Sequence, residues 1–413
     1  MQRALFQIIL ATLLALAACH TPPKPVVAIP APPRIPSPAP QPPAKKFFHD
    51  EKLAAMDALI AQAIAEKKLP GGVLWIERGS VVHSKSFGHR ALVPQAEPMS
   101  PDTLFDAASL TKVIATTPAI GLLLEQGCLK LDAPVRDSLP EFTGEGRERV
   151  TLRHLLTHTS GLRPGLGLVP EWQGAEKALQ LACAEKLQAP PGTQFVYSDI
   201  NFILLGEIVR RVSGEPLDLF AARTIFGPLK MRDTTFLPSA GTRPRIAPTT
   251  ATNGIYLRGE VHDPTALRMR GVAGHAGLFT TAADLARFAR MLLHGGELEG
   301  VRVFRPETIG LMTSVQSPGA VTARRGLGWD IDSPYSGPRG RLFPVGSFGH
   351  TGWTGTSLWL DPFSRTFVIL LSNRNHPDGG NVVALRSQLG TLAAEAVADF
   401  DFENVPGALP RRP

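Results

Sequence analysis

The chain has 413 residues, 43 % apolar and 19 % charged, with a mean hydropathy of +0.02. Such a composition excludes a disordered chain and a multi-span membrane protein, and the length suits a large two-part enzyme. The net charge of +7 is uneven: Arg3, Lys24, Arg34, Lys45 and Lys46 stand in an acid-free residues 1–46, and Arg411 and Arg412 close the chain. Residues 47–410 are therefore neutral, which gives no support for nucleic-acid binding.

Residues 4–18 form an apolar run behind Arg3. Fifteen helical residues, at about 1.5 Å each, fall short of a bilayer core of about 30 Å. The run reads as a signal-peptide h-region. It ends in Leu16-Ala17-Ala18-Cys19, which resembles the lipobox of bacterial lipoproteins, where cleavage precedes a lipid-bearing cysteine. The resemblance implies a lipid-anchored, periplasm-facing protein of the bacterial cell envelope. His20, in place of an inner-membrane retention aspartate, points to the outer membrane. Residues 19–46 follow as a tether, with eleven prolines in 21–46. Proline fixes φ and removes a donor, so no helix or sheet core is expected here; the stretch reads either as an extended spacer, at about 3.1 Å per residue where it is polyproline II, or as a long disordered one.

The body, residues 47–400, precedes a tail at 401–413. Asp50 is a candidate N-cap for a helix running to Lys67, with Leu53, Met56, Leu59, Ile60, Ala63 and Ile64 at helical spacing. Residues 71–77 and 81–87 flank Arg78-Gly79-Ser80 as a hairpin. From about 105 to 290 the pattern is mostly helical. Segments 342–350, 354–360 and 366–372 are β-prone, with turns at Gly352 and at Asp361-Pro-Phe-Ser, and 380–399 closes with a helix. The expected fold is α/β (α+β): an antiparallel sheet of about five strands from both chain ends, flanked by helices, with a mostly helical insertion.

Three short elements carry chemistry. In Ser109-Leu-Thr-Lys112, the i and i+3 side chains share a helix face at a helix start, where free N–H groups favour developing negative charge. A serine needs a base, and a desolvated lysine can supply one. The second element is Tyr197-Ser198-Asp199, ahead of a helix-like segment. The third is His350-Thr351-Gly352, between two β-prone segments. Each alone also reads as ordinary structure.

Together, in this order, they resemble the serine β-lactamase and penicillin-binding protein superfamily, in its class C β-lactamase, DD-peptidase and esterase branch. Leu155-Leu-Thr-His-Thr-Ser-Gly-Leu162, Gly206-Glu-Ile-Val209, Met231-Arg-Asp-Thr-Thr-Phe236, Gly274-His-Ala-Gly-Leu-Phe279 with Ala282-Ala-Asp-Leu285, and Gly326-Leu-Gly-Trp329 are similar to further family segments. The resemblance covers about residues 48–400.

It implies a serine hydrolase that needs no cofactor and acts on a small ester, an amide or a peptidoglycan-type D-alanyl peptide. Ser109 would form the acyl-enzyme, and Lys112 and Tyr197 would share the base function. The backbone N–H groups of Ser109 and Trp353 would form the oxyanion hole. His350, Thr351 and Gly352 would line the site, the first two binding the substrate's carboxylate or other polar end. DD-carboxypeptidase and carboxylesterase are the close alternatives, and a non-catalytic penicillin-binding sensor would be expected to lack one of the three central side chains.

Two positions depart from the family. His350 replaces a lysine, so charge there should vary near neutral pH and hold a carboxylate less firmly. Asp199 replaces the usual asparagine and cannot donate when ionised. It either acts electrostatically on Lys112 and Tyr197 or caps the following helix. His154-Leu-Leu-Thr-His158 has zinc-like i,i+4 spacing but lacks the glutamate, and it falls inside a family segment, so no metal is expected. His275 reads as loop structure near the site. Cys128 and Cys183 could pair in an oxidising periplasm.

Overall fold

The computed structural model describes residues 47–252 and 254–411; the signal-like run, Cys19 and the tether lie outside them. The first helix, α1, spans Asp50–Ala65. His49 rather than Asp50 flanks it, and Asp50 and Glu51 occupy the first turn, where a carboxylate meets the positive end of the helix dipole. The hairpin follows as β1 (Gly71–Arg78) and β2 (Val81–Ala91), then β3 (Glu97–Pro98). Late in the chain come β4 (Arg324–Arg325), β5 (Asp330–Asp332), β6 (Phe348–Thr351), β7 (Ser357–Asp361) and β8 (Thr366–Ser372). All pair antiparallel in one sheet ordered β4-β5-β6-β7-β8-β1-β2-β3.

The five strands expected from the two chain ends form the contiguous set from β6 to β2. Three edge strands raise the total to eight; at two or three residues each they carry no readable periodicity. The strand expected from 342 begins only at Phe348. Pro344 lies in a turn closed by the Ser347 amide on the Pro344 carbonyl at 3.1 Å, which delays it.

Both sheet faces are covered. Along β1, Val73 joins a core with the helical insertion, whereas Leu74 and Ile76 join a second core with α1 and the closing helix, α5 (Val383–Ala396). On β8, Ile369 and Leu371 face the first core and Val368 and Leu370 the second. Along β1 and β8 the period-2 alternation thus reads as an unbroken apolar run, because neither face meets water there.

Three helices of the insertion matter here: α2 (Thr117–Glu125), α3 (Asp199–Ser213) and α4 (Ala282–Leu293). Arg290 of α4 clamps Glu77 of β1 through Nε–Oε1 at 2.5 Å and Nη2–Oε2 at 2.8 Å, and Trp75 Nε1 donates to the same carboxylate at 2.9 Å. This pairs a carboxylate only 3 % exposed and locks the insertion onto the sheet. Cys128 and Cys183 are both free thiols, one exposed and one buried, so the disulfide alternative does not hold.

One contact sets the depth of α3. A Cβ added at Gly274 would lie 1.9 Å from the Phe202 carbonyl oxygen, and one at Gly206 would lie 3.1 Å from the Gly274 backbone. Helix and loop meet backbone to backbone, which only glycine permits. Gly274→Ala should therefore push α3 outward and destabilise the fold by about 1–3 kcal/mol, as overpacking does. Thermal unfolding checks this, and a melting temperature equal to wild type would refute the contact.

Candidate active site

Ser109 sits on a distorted turn. Short strand Phe105–Asp106 pairs with Leu278–Thr280, and the Ala107 amide donates to the Leu278 carbonyl at 2.8 Å. Ala108 then takes φ +48°, a left-handed conformation that strains an alanine. Hydrogen bonds on every side hold it there. Buried Asp106 accepts from the Ala108 amide at 2.8 Å and from the His262 amide at 2.6 Å. Thr111 Oγ1 donates to the Ala108 carbonyl at 2.6 Å, Thr356 Oγ1 to the Ala107 carbonyl at 3.0 Å, and Thr354 Oγ1 to the Asp106 carbonyl at 2.7 Å. Burial pushes the Asp106 carboxyl up to about 6.

Past Ser109 the chain does not enter an α-helix directly, as expected, but passes through a 3₁₀ turn (Ala108–Leu110) and a wide π turn (Lys112–Thr116) into α2. Such π turns recur at functional sites. The i,i+3 juxtaposition survives: Lys112 Nζ lies 2.9 Å from Ser109 Oγ. Lys112 is fully buried, and it also meets the His275 carbonyl at 3.1 Å, Asp199 Oδ1 at 2.7 Å and the Tyr197 side chain. Burial opposes its charge, but Asp199 and Tyr197 outweigh burial and raise its pKa above that of a free lysine.

The second element enters from the start of α3. The Ser198 amide donates to His158 Nδ1 at 3.0 Å and Ser198 Oγ to the Arg163 carbonyl at 2.6 Å. Asp199 is the first helical residue, flanked by Ser198, and makes no cap; its carboxylate turns to Lys112. This decides between the two readings of Asp199 in favour of the electrostatic one. Tyr197 stacks on the buried His158 ring at 4.4 Å, with Lys112 Nζ 5.0 Å from the Tyr197 centroid. His158 and His154 do not share a site: His154 Nδ1 accepts from the Thr151 amide at 3.1 Å in a capping box, while His158 faces Ser198.

The third element is β6 and its turn. A Cβ on Gly352 would fall 2.5 Å from the Ala107 carbonyl oxygen and 3.2 Å from Ala108 Cβ, so this turn lies against the Ser109 turn. Ser109, Tyr197, His350, Thr351, Gly352 and Trp353 line one cavity of about 430 Å³. The sequence brings them together as expected. Asp199 stands behind them, against Lys112.

His350 departs from expectation. It is 4 % exposed, and its Nδ1 donates to the Thr351 carbonyl at 2.8 Å. Burial, then Arg325 and Lys112, pushes its pKa well below that of a free imidazole. The ring is therefore neutral at physiological pH, with Nε2 as an acceptor, and its charge does not vary near neutrality. It offers a carboxylate no cation.

The cations on the cavity wall lie elsewhere, at residues the sequence reading missed. Arg386, from α5, donates Nη2 to the Gly352 and Thr356 carbonyls at 2.6 and 2.7 Å. Its Nε has no partner among the described residues. Burial, and secondly Arg374, lowers its pKa to about 9. Arg374 donates Nε to the Trp353 carbonyl at 2.7 Å and lies 4.7 Å from the Trp353 ring centroid. Among the described residues neither guanidinium has a carboxylate partner. Arg325 and Asp330 face the same cavity but pair with each other at 3.3 Å. The available signal for Arg386 was a lone arginine on the buried stripe of α5, beside Leu385 and Leu389.

Comparison with known proteins bears on this arrangement. The Beta-lactamase family profile matches residues 56–392. The chain belongs to the beta-lactamase family. It is a serine hydrolase of that family, α/β with an antiparallel sheet. The chain is 31 % identical over 371 residues to an Escherichia coli K12 protein named as a candidate D-alanyl-D-alanine carboxypeptidase, covering 81 % of this chain and 85 % of that one. It is 31 % identical over 370 residues to the N-acetylmuramyl-L-alanine amidase of Bacillus subtilis strain 168, covering 80 % and 82 %. Its fold is similar to that of a penicillin-binding protein homologue from Caulobacter crescentus, with TM-score 0.67 and 24 % identity over 85 % of this chain and 99 % of that one. EstCE1, a hydrolase with promiscuous acyltransferase activity, is similar at TM-score 0.67 and 24 % identity, covering 84 % and 99 %.

A neutral His350 has a direct check. Free histidine titrates near about 6.5, whereas the His350 ring nitrogens should keep their neutral NMR signature between about pH 6 and 8. A titration midpoint inside that range would overturn the assignment.

Proposed function

We propose that this serine hydrolase is a D-alanyl carboxypeptidase of the cell envelope, working through an acyl-enzyme on Ser109. Ser109 Oγ attacks the carbonyl carbon while its proton passes to Lys112 and Tyr197, which act as one base. The amide N–H groups of Ser109 and Trp353 stabilise the oxyanion. The C–N bond breaks as the shared proton goes to the leaving amine, and water, activated by the same pair, releases the acyl group and restores Ser109.

The observation that carries the substrate class is the buried Arg386. A buried guanidinium without a counter-ion costs several kcal/mol, and a substrate carboxylate in the cavity offsets that cost. Arg374 adds a second cation at the rim. The names of the 31 % relatives agree with a peptidoglycan substrate. A carboxylesterase reading draws on neutral His350, which suits an uncharged substrate equally well.

D-alanine release from a diacyl-Lys-D-Ala-D-Ala peptide separates these. The free acid should be turned over at least about tenfold faster than its C-terminal amide, a difference of about 1.4 kcal/mol, and Arg386→Gln should narrow that ratio. Equal turnover of acid and amide would favour the esterase. Ser109→Ala should lose several powers of ten in kcat, as nucleophile knockouts do; near-wild-type turnover would remove Ser109 from its role.

The location is part of the proposal. Leu16-Ala17-Ala18-Cys19 and the proline-rich stretch support a lipid anchor on Cys19 with the enzyme held off an outer membrane. Labelled palmitate should enter the wild-type protein and not Cys19→Ser. Equal labelling of both would refute the anchor.

A further inference from the structure

The geometry points to Asp263 and His275 as a positioning dyad for Lys112, a second carboxylate–imidazole layer behind the Ser109 base. This rests on the Ser109–Lys112 chemistry proposed above. Neither residue meets the substrate cavity, and the motif reading left His275 as loop structure and passed over Asp263.

The dyad is built around one hydrogen bond, His275 Nε2 to Asp263 Oδ1 at 2.9 Å, with the imidazole wholly buried. Asp263 Oδ1 also accepts the Ala266 amide at 2.7 Å, capping the short helix Pro264–Arg268, so the carboxylate has a fixed address. The His275 carbonyl takes one proton of Lys112, and the neighbouring Gly274 carbonyl accepts Thr116 Oγ1 at 2.6 Å, one turn further along the same segment. Gly274 is pressed on α3 at Phe202, three residues past Asp199. Fixing the His275 ring therefore fixes the carbonyl that aims Nζ.

The arrangement is also electrostatic. Ligand atoms of Asp199, Asp263 and His275 lie within 4.8 Å of one another, and Lys112 is the cation of this cluster. His275 and backbone donation, with a contribution from Lys112, hold the Asp263 carboxyl well below the usual range against its burial, so it is ionised throughout the working pH range. A protonated Lys112 has three N–H groups, shared among Ser109 Oγ, the His275 carbonyl, Asp199 and Tyr197. To accept the Ser109 proton it must arrive neutral, with its lone pair on Oγ and its two hydrogens still on the His275 carbonyl and Asp199. The dyad preserves that orientation in the neutral state, while the Asp263 carboxylate favours the protonated one. The other titratable groups facing Lys112 are Asp199 and Tyr197 from the start of α3, His158 from the loop after Leu152–Leu156, and His350 from β6. Burial pushes both of these histidines well below the free value, so they remain neutral.

Asp263→Asn is the informative change, because asparagine keeps the oxygen that accepts from His275 and caps helices equally well. It removes charge and leaves geometry. Lys112 should then lose its proton more easily, and the rising limb of kcat/KM against pH, measured with a chromogenic ester, should move to lower pH by roughly half to one unit. Asp199→Asn, at 2.7 Å, should move it further in the same direction. His275→Ala, which frees the carbonyl, should lower plateau kcat at least about tenfold with KM within about twofold. Thermal melts report folding, and if Asp263→Asn does not fold, Asp263→Ser, also a cap former, takes its place. A profile for the Asp263 variant that superimposes on wild type overturns the inference. Ser109→Ala run alongside keeps the readings apart: activity retained there sinks the nucleophile, whereas an inactive Ser109→Ala with an unshifted Asp263 profile sinks the dyad alone.

Discussion

A lysine ammonium with no exposed surface stands at the centre of this protein, and the folding of several distant segments is organised around it. Moving a charge from water into a protein interior costs several kcal/mol unless it is paired and fully hydrogen-bonded. Lys112 meets both conditions only when three parts of the chain are in place: the Ser109 turn, the start of α3 with Asp199, and the 274–277 loop with its carbonyl. The glycine contact between α3 and that loop is what permits the last two to approach together. The catalytic geometry and the core of the helical insertion are therefore one constraint, and a defect in either should appear in both.

The cavity side is compensated differently. Behind Ser109 Lys112 pairs with Asp199 and Asp263 with His275, and on the cavity wall Arg325 pairs with Asp330. Along the wall that faces solvent, Arg386 and Arg374 have only carbonyl acceptors among the described residues. Two guanidiniums without carboxylate partners among the described residues give the cavity face a standing attraction for an anion. The neutral His350 leaves that attraction to the two guanidiniums.

Legibility from sequence followed the range of the interaction. Ser109 and Lys112 are three residues apart, so helical periodicity alone paired them, and even a turn that is 3₁₀ and then π keeps them in contact. The five central strands, though not their order, showed as apolar runs at both chain ends. Two-residue edge strands left no trace, since two residues have no period. The charge of His350 was misjudged because ionisation depends on burial and on Arg325 and Lys112, none of which is near it in sequence. Asp263 and His275, twelve residues apart, and Arg386, 34 residues past Gly352, carry no local signature of their partnership.

The strained Ala108 shows why these long-range contacts matter to chemistry. A left-handed alanine is a cost of about 1–3 kcal/mol that persists only where surroundings over-determine it. Here the determinants include Thr354 and Thr356, which follow the His-Thr-Gly turn and bind the carbonyls of Asp106 and Ala107, which precede the Ser109 turn. The two backbone segments whose amides are proposed to hold the oxyanion are thus hydrogen-bonded to one another before any substrate arrives. Donors fixed in advance need no reorganisation as charge develops, which is where such an arrangement gains its rate. The strain at Ala108 and the rigidity of the pair of amides are then two aspects of one set of hydrogen bonds: relaxing the alanine would require breaking the bonds that bring the Trp353 turn against Ser109.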